Sequence, residues 1–438
     1  MNGSAWILSI SIMLLNGAYT AQAAPLRLSE AIEQGLSTSP KTQRAESFLR
    51  ETEWKKAETY AGFLPTLTAS ASYLFDKKYL FVDVDLNGLP VSIPQIIPTS
   101  NLYLTAQWSL FDGFSSINRL RGGRSLEASA KNDLDWTRFQ VEREITLLFY
   151  RALAAKEMQG VAEQNLKALE NHLRNVRLFR KVGSSTNIDV LRVEVLLSEA
   201  KSEELNAADN VEISKARLSE ALGADQDISD IAGELPVLKK DLIDELKNEN
   251  LSERADLKSL QAKVEALTYQ EKAAEKYWVP KIFLMGQYQY YNNRTDGFDD
   301  YDNYREAYYY GVTLSWNIFD GLLSIARSKQ SIEQKYQSEK VLRMTQLKAK
   351  RDLDFWKRKF IYFCTLVDAR FSDIAKAKES ARLSREGLRA GARTNSDVLD
   401  AEADLFRAQA GAVNAQLGAI EALINLELSL GRKIADFK

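Results

Sequence analysis

One short stretch occurs twice in this chain. Gly183, Ser184, Ser185, Thr186, Asn187, Ile188, Asp189, Val190, Leu191 is matched by Gly391, Ala392, Arg393, Thr394, Asn395, Ser396, Asp397, Val398, Leu399, an offset of 208 positions (391 − 183). The same offset carries Leu110, Phe111, Asp112, Gly113 onto Ile318, Phe319, Asp320, Gly321, and Leu222, Gly223 onto Leu430, Gly431. From Leu110 to Gly223 the two copies therefore run without net insertion or deletion, so the segments between landmarks have set lengths to span. Each short stretch opens on a glycine able to end a helix in the left-handed region. It continues through small polar residues to an Asp at the mouth of the next helix, so each reads as a corner between two antiparallel helices.

Between the corners the period of the sequence changes. Leu67, Ala69, Ala71, Tyr73 and Phe75 fall on one face of a period of two, with Thr66, Thr68, Ser70 and Ser72 on the other. After a loop at 76–98, Leu102, Leu104, Ala106, Trp108 and Leu110 alternate with Tyr103, Thr105, Gln107 and Ser109. The second copy sets Ile282, Leu284, Gly286, Tyr288 and Tyr290 against Phe283, Met285, Gln287 and Gln289. It then sets Tyr308, Tyr310, Val312, Leu314, Trp316 and Ile318 against Tyr309, Gly311, Thr313, Ser315 and Asn317, after a polar loop at 292–305. From Ser115 to Val182 no proline interrupts a helical pattern of 68 residues, roughly 100 Å at 1.5 Å per residue. The N-terminal helical segment 26–61, with Ser29 as candidate cap and a break at Pro40, and the return segment 187–222 are both 36 residues long. The two short helices thus stack end to end along the long one.

The expected organisation is a signal segment at 1–23, with a short apolar run Trp6–Leu15 and the small residues of Ala21, Gln22, Ala23 before a mature start at Ala24. A first repeat at 24–223 holds a helix, the strand pair 64–111, the long helix 115–182, the tip turn 183–191 and the return helix. An acidic connector at 224–250 is read as a collar near the middle of the long helix. The second repeat, 251–438, holds a helix, the strand pair 281–319, the long helix 322–390, the tip turn 391–399 and its return helix.

Net charge is −2, from 58 basic and 60 acidic residues, which implies neither a nucleic-acid stripe nor a polyanionic tail. The one His, His172, and the one Cys, Cys364, lie inside long helical patterns and read as a helix-surface imidazole and a packed thiol. That inventory leaves no His/Cys metal cluster and no His-based triad, and no phosphate-binding glycine loop with Lys is present, so neither enzyme chemistry nor a cofactor is expected. No run of about 18 apolar residues marks a spanning helix. Strands with one apolar and one Ser/Thr/Gln face and aromatic residues near their ends instead point to a transmembrane barrel with a wet lumen. Four strands cannot close a barrel, which takes about eight, and lipid tolerates no open edges, so several chains must share one barrel. The Ala-rich helices, with Ala152, Ala154, Ala155 and Ala162 in one copy and Ala401, Ala408, Ala412 and Ala415 in the other, would continue it as a tube.

These residues resemble the TolC family of outer-membrane efflux and secretion channels. The likeness covers Leu28, Ser29, Glu30, Ala31 with Ser39, Pro40; Phe63, Leu64, Pro65 and Trp278, Val279, Pro280; Phe111, Asp112, Gly113 and Phe319, Asp320, Gly321; and both tip turns. The resemblance implies a mixed α and β membrane protein, a homotrimer with a 12-stranded β-barrel in the outer-membrane lipid of a Gram-negative cell and an internally duplicated, antiparallel α-helical coiled tunnel in the periplasm. It implies as partners a periplasmic adaptor (a membrane fusion protein) and an inner-membrane transporter, working in drug or metal efflux or in type I protein secretion. The family's periplasmic gate maps onto Asp189, Arg393, Asp397 and Asp400, with Leu388 where the family carries a tyrosine. Asp397 has a competing reading as a simple helix cap. Gly183, Val190, Leu191, Gly391, Val398 and Leu399 recur in both tips as a candidate apolar notch for the adaptor, against the plainer reading that the Val and Leu side chains pack each hairpin. A trimeric periplasmic or surface coiled-coil protein of adhesin type, without channel activity, is the alternative; it predicts heptads and no alternating strands. An outer-membrane enzyme would need a constellation that the strands lack.

Overall fold

A computed structural model describes residues 25–76, 80–95, 97–223, 228–243, 251–293 and 301–435. The expected signal segment 1–23 and parts of the connector and of the loop 292–305 lie outside the described residues. The chain runs α1 (Leu28–Thr38), α2 (Pro40–Thr59), β1 (Thr66–Tyr73), β2 (Leu80–Leu86), β3 (Leu89–Gln95), β4 (Ser100–Phe111), α3 (Ser115–Lys181) and α4 (Asn187–Leu222). It continues through α5 (Ala255–Ala274), β5 (Lys281–Asn292), β6 (Arg305–Ser315), α6 (Leu323–Arg389) and α7 (Asn395–Leu430). Among the described residues, no helix is long and apolar enough to cross a membrane.

The two long helices have 67 residues each and the two return helices 36 each, so the duplication read from the landmarks is a duplication of lengths. Helices α2 and α5, 20 residues each, occupy equivalent places before the strands. Near the strands α3 lies between α2 and α5; near the tips it lies between α4 and α7, and α6 takes α5 and α7 in turn. One edge of this wall is the α2/α4 stack and the other is α6 along its whole length. Gly122 and Gly123 allow the close approach near the strands, because a Cβ at Gly122 would sit 3.2 Å from the Ala266 carbonyl and one at Gly123 3.4 Å from Lys56 Cα. The first helix starts at Leu28, where Glu30 accepts a hydrogen bond from the Arg27 backbone N–H at 3.2 Å. Ser29 is inside the helix rather than its cap, because the reach-back carboxylate already satisfies the free end.

The four long strands form one antiparallel sheet of order β1-β4-β5-β6. Register keeps the two faces apart up to Ser109, beyond which a shift pairs Phe111 with Ile282: Ala69 pairs with Leu104, Leu104 with Tyr288, and Tyr288 with Tyr308, while Thr68, Thr105, Gln287 and Tyr309 share the opposite face. Among the described residues no helix packs on either face, and Leu67, Tyr308, Tyr310, Val312 and Leu314 are exposed. An uncovered apolar face on a sheet with no second layer is what lipid, not water, accommodates.

The loop at 76–98 is not featureless. It holds the ribbon β2–β3, paired from Leu86↔Leu89 to Leu80↔Gln95 around Asn87 and Gly88, whose φ values are 56° and 85°. Asn-Gly between alternating apolar residues is a strong hairpin signal that the prolines of this segment mask.

The main core lies midway along α3, where Ile145, Phe149 and Leu153 meet Leu218 and Leu222 of α4 and Ile420 and Ile424 of α7. Connector residues Ile231 and Leu235 close over it, and Leu26 pairs with Ile231 in a short parallel bridge. A second cluster joins Phe360, Cys364 and Val367 of α6 to Leu423, Leu426 and Leu430 of α7. Burial pushes the Cys364 thiol up to about 11, so it stays protonated and unreactive near neutrality.

Candidate functional site at the hairpin tips

The two tips are built the same way from different side chains. Helix α3 ends in a Schellman turn, with Ser184 N–H donating to Phe179 O at 2.8 Å, Gly183 N–H donating to Arg180 O at 3.1 Å, and Gly183 at φ 81°. Helix α6 ends identically, with Ala392 N–H to Gly387 O at 2.8 Å, Gly391 N–H to Leu388 O at 3.1 Å, and Gly391 at φ 73°. Each return helix begins with a capping box. In the first, Asp189 N–H donates to Thr186 Oγ1 at 3.2 Å while Asp189 Oδ2 accepts from Thr186 N–H at 2.9 Å and Oγ1 at 2.7 Å. In the second, Asp397 N–H donates to Thr394 Oγ1 at 3.2 Å and Asp397 Oδ2 accepts from Thr394 N–H at 2.8 Å and Oγ1 at 2.9 Å. The Thr186 hydroxyl first, and then its backbone N–H, hold Asp189 below the usual carboxylate range; for Asp397 the Thr394 backbone bond leads. Both aspartates are thus ionised caps; Asp189 is bonded further by Ser185 and by the Asn395 side chain, whereas the other oxygen of Asp397 is left over.

The other expected site residues separate into two groups. Arg393 and Asp400 are exposed, and neither makes an ion pair within the chain among the described residues. The Arg393 stem lies across Gly387, where a Cβ would come within 2.6 Å of its Cγ, so a glycine one turn before the helix end sets the direction of the arginine. Val190, Val398 and Leu399 are buried, at 5% exposure or less, and pack inside and between the hairpins; Leu191 is 54% exposed. Gly183 and Gly391 open onto empty space, with no atom within 4 Å of an added Cβ. An apolar notch built from all six recurring residues therefore reduces to the two glycines and Leu191, joined by exposed Val182 and Ile188.

Two contacts at the tips were not anticipated. His172 is buried, with Nε2 2.6 Å from Oδ1 of Asn395, so it ties the first hairpin to the second rather than standing on a helix surface. Arg192 Nη1 donates to Ser396 Oγ at 3.3 Å across the same seam. The signal available for His172 is its position between Leu169 and Leu173, next to the stripe that packs on Val190 and Val193.

A family model described as outer membrane efflux protein matches residues 31–224 and 246–432. The chain belongs to that family. The outer membrane efflux proteins are channels, which puts this one in the outer membrane with its helical tunnel in the periplasm. Members are trimeric and work with periplasmic adaptors and inner-membrane transporters. The fold is shared with solved channels. VceC, an outer membrane protein of Vibrio cholerae, is similar over 93% of this chain and 97% of its own, at 18% identity and a TM-score of 0.76. CusC is similar over 93% of both chains at 15% identity and a TM-score of 0.76. The MtrE outer membrane channel of Neisseria gonorrhoeae, solved in an open state, is similar over 93% of this chain and 89% of its own, at 19% identity and a TM-score of 0.72. No match was found among curated proteins.

Proposed function

We propose that three copies of this outer membrane efflux protein close a 12-stranded barrel and form the exit duct of a tripartite export system, fed by a periplasmic adaptor and an inner-membrane transporter. The observation that carries this reading is the four-stranded antiparallel sheet with two free edges, β1 and β6, and no covering layer. Four strands per chain, an even number, let β6 of one copy meet β1 of the next in the same antiparallel sense as every pair within the chain. The repeat also predicts the register of that junction. The 208 offset carries β4 onto β6, and the offset of 215 (280 − 65) between Pro65 and Pro280 carries β1 onto β5. Ala106 pairs with Gly286 within the chain, so Leu314 is expected opposite Ala71 of the next copy. The corners agree: Gly113 packs on Val279, with a would-be Cβ 2.9 Å from the Val279 Cβ, whereas the space beside Gly321 is open and Leu64, the equivalent of Val279, is exposed.

With Cys364 replaced by Ser, the pair Ala71→Cys and Leu314→Cys should give a covalent ladder ending at three chains on mild oxidation in membranes, since facing residues of an antiparallel pair lie at disulfide distance. The pair Ser70→Cys and Leu314→Cys, on opposite faces, should not. A ladder ending at two chains, or equal crosslinking of both pairs, would refute the arrangement.

In this reading the tips form the duct's periplasmic aperture, with Asp397 and Asp400 around the opening and Arg393 and Asp189 bonding neighbouring hairpins. The exposed glycine corners receive the adaptor. Gly391→Trp is then expected to abolish efflux of a fluorescent dye while leaving trimers intact. Gly391→Asn, a residue that tolerates the left-handed region, should retain most of it. Dye efflux at the parental rate in Gly391→Trp would remove the docking role.

A further inference from the structure

His172 is 6% exposed and lies on α3 between Leu169 and Leu173, which pack against Val190 and Val193 of α4 and Leu399 of α7. Its Nε2 meets Oδ1 of Asn395, the first residue of α7, at 2.6 Å. Asn395 is itself nine-tenths buried, and its side chain is shared between the imidazole and the Asp189 carboxylate of α4. Neutral His172 with its proton on Nε2 donates to that carbonyl oxygen and leaves Nδ1 without a proton, which suits an apolar seam.

We propose that His172 is the positioning residue that keeps the second hairpin against the first in the narrow state of the tip, and that a charge on its buried ring drives the packed seam apart and widens the aperture in acid. This rests on the tips being the aperture. An imidazolium would bring a full charge and a second N–H donor into a seam with no carboxylate bonded to the ring. The charged groups around it are Arg385 from α6, which acts on the ring itself, Glu402 from α7, joined to Arg385 by a 3.4 Å ion pair, and Asp189 from α4, which bonds the Asn395 side chain. Asp189 is committed to its cap, and the Arg385 cation opposes a second positive charge.

Burial above all lowers the His172 pKa from 6.5 in the packed state, against the Asn395 bond, which raises it, and with Arg385 adding to the lowering. A separated hairpin pair restores a pKa near 6.5, so the separated state binds more protons and gains on the packed state as pH falls below 6.5, by at most about tenfold per pH unit per chain. The packed state is fully favoured above that value. Asp189 and Asp397 titrate below 3.8 and remain ionised throughout, whereas Glu402, raised above 4.5 by burial, is a second group that could respond.

The test is single-channel conductance of the purified trimer in planar bilayers between pH 7.5 and pH 5, with the ring proton of the single histidine followed by NMR in detergent. The wild type should open several-fold more often at pH 5, and its ring should titrate below 6.5. His172→Gln, which keeps an amide N–H for Asn395 but cannot titrate, should hold the narrow state at every pH, and Asn395→Ala should be open at both ends of the range. Glu402→Gln should keep the wild-type profile. A pH response that survives in His172→Gln, or a wild type indifferent to pH, overturns the proposal. Block by trivalent cations, lost on neutralising Asp397 and Asp400, reports independently whether the tips are the aperture, so the two failures are told apart.

Discussion

Replacing Glu427 by Ala is expected to detach the C-terminal segment from the middle of the tunnel and cost about 3–5 kcal/mol locally, because it takes from a buried cation one of its two carboxylates and leaves two backbone N–H groups without their acceptor. Glu427 is fully buried, and its Oε2 accepts from Arg143 Nη1 at 2.6 Å, with Arg143 itself 3% exposed. Its other oxygen accepts from the backbone N–H groups of Ile434 at 2.7 Å and Ala435 at 3.0 Å. One carboxylate therefore pins α3, α7 and the chain's last described residues together. Glu142 bonds Arg143 Nη2 at 2.9 Å and pairs with Lys433, so it keeps part of the Arg143 charge compensated, but it does not reach the two tail amides that Glu427 holds. The cost falls on this collar and not on the whole molecule, so hydrogen exchange is the right measurement. Protection of the Ile434 and Ala435 amides should drop by roughly 10²- to 10⁴-fold, the same free energy expressed as an opening constant. Arg143→Met with Glu427→Leu should recover most of the stability of the α3–α7 contact, since the pair replaced by apolar groups leaves no charge behind, yet the tail amides should stay unprotected. Unchanged exchange in Glu427→Ala would show that the tail is held elsewhere.

Neutralising Asp397 and Asp400 together is expected to weaken block by a trivalent cation by at least tenfold and to lower cation selectivity. In the proposed trimer, three chains would bring six carboxylates to the tip ring. A trivalent ion about 6 Å from one carboxylate gains about 2 kcal/mol in bulk water, before screening. The structure separates the two residues. One oxygen of Asp397 is engaged by Thr394, so Asp397→Asn also weakens a capping box, typically by about 1 kcal/mol. Asp400 is exposed and makes no hydrogen bond or ion pair among the described residues, so Asp400→Asn should carry most of the electrostatic effect at no structural cost. Single-channel recordings at low salt measure both quantities, and the effect should fade as salt is raised. Unchanged block and selectivity in the double variant would show that these residues do not line the aperture.

Much of the architecture is legible along the chain because it depends on periodicity and length, which are local. Alternation puts β4 and β6 within a few residues of their observed bounds, and an uninterrupted helical pattern marks α3 and α6 to within a residue or two. The tip turns, with a left-handed glycine followed by Thr and Asp three positions apart, spell out their Schellman turns and capping boxes because both motifs close within one turn of chain. Other features depend on which distant residue comes to meet them. The leucines beside His172 mark its stripe, but its partner Asn395 is supplied only when α7 packs against it, and Arg143 resembles any other helical arginine until Glu427 arrives 284 positions later. Val190, Val398 and Leu399 recur in both tips whether they pack or protrude; closing of each hairpin buries the two valines, and only the docking of α7 on the first hairpin buries Leu399 and leaves its equivalent Leu191 out. The sequence by itself determined the repeat, the lengths and the two-faced strands; the tertiary structure alone decided which polar groups are buried and which apolar ones remain free, because burial is a property of the partner surface and not of the residue.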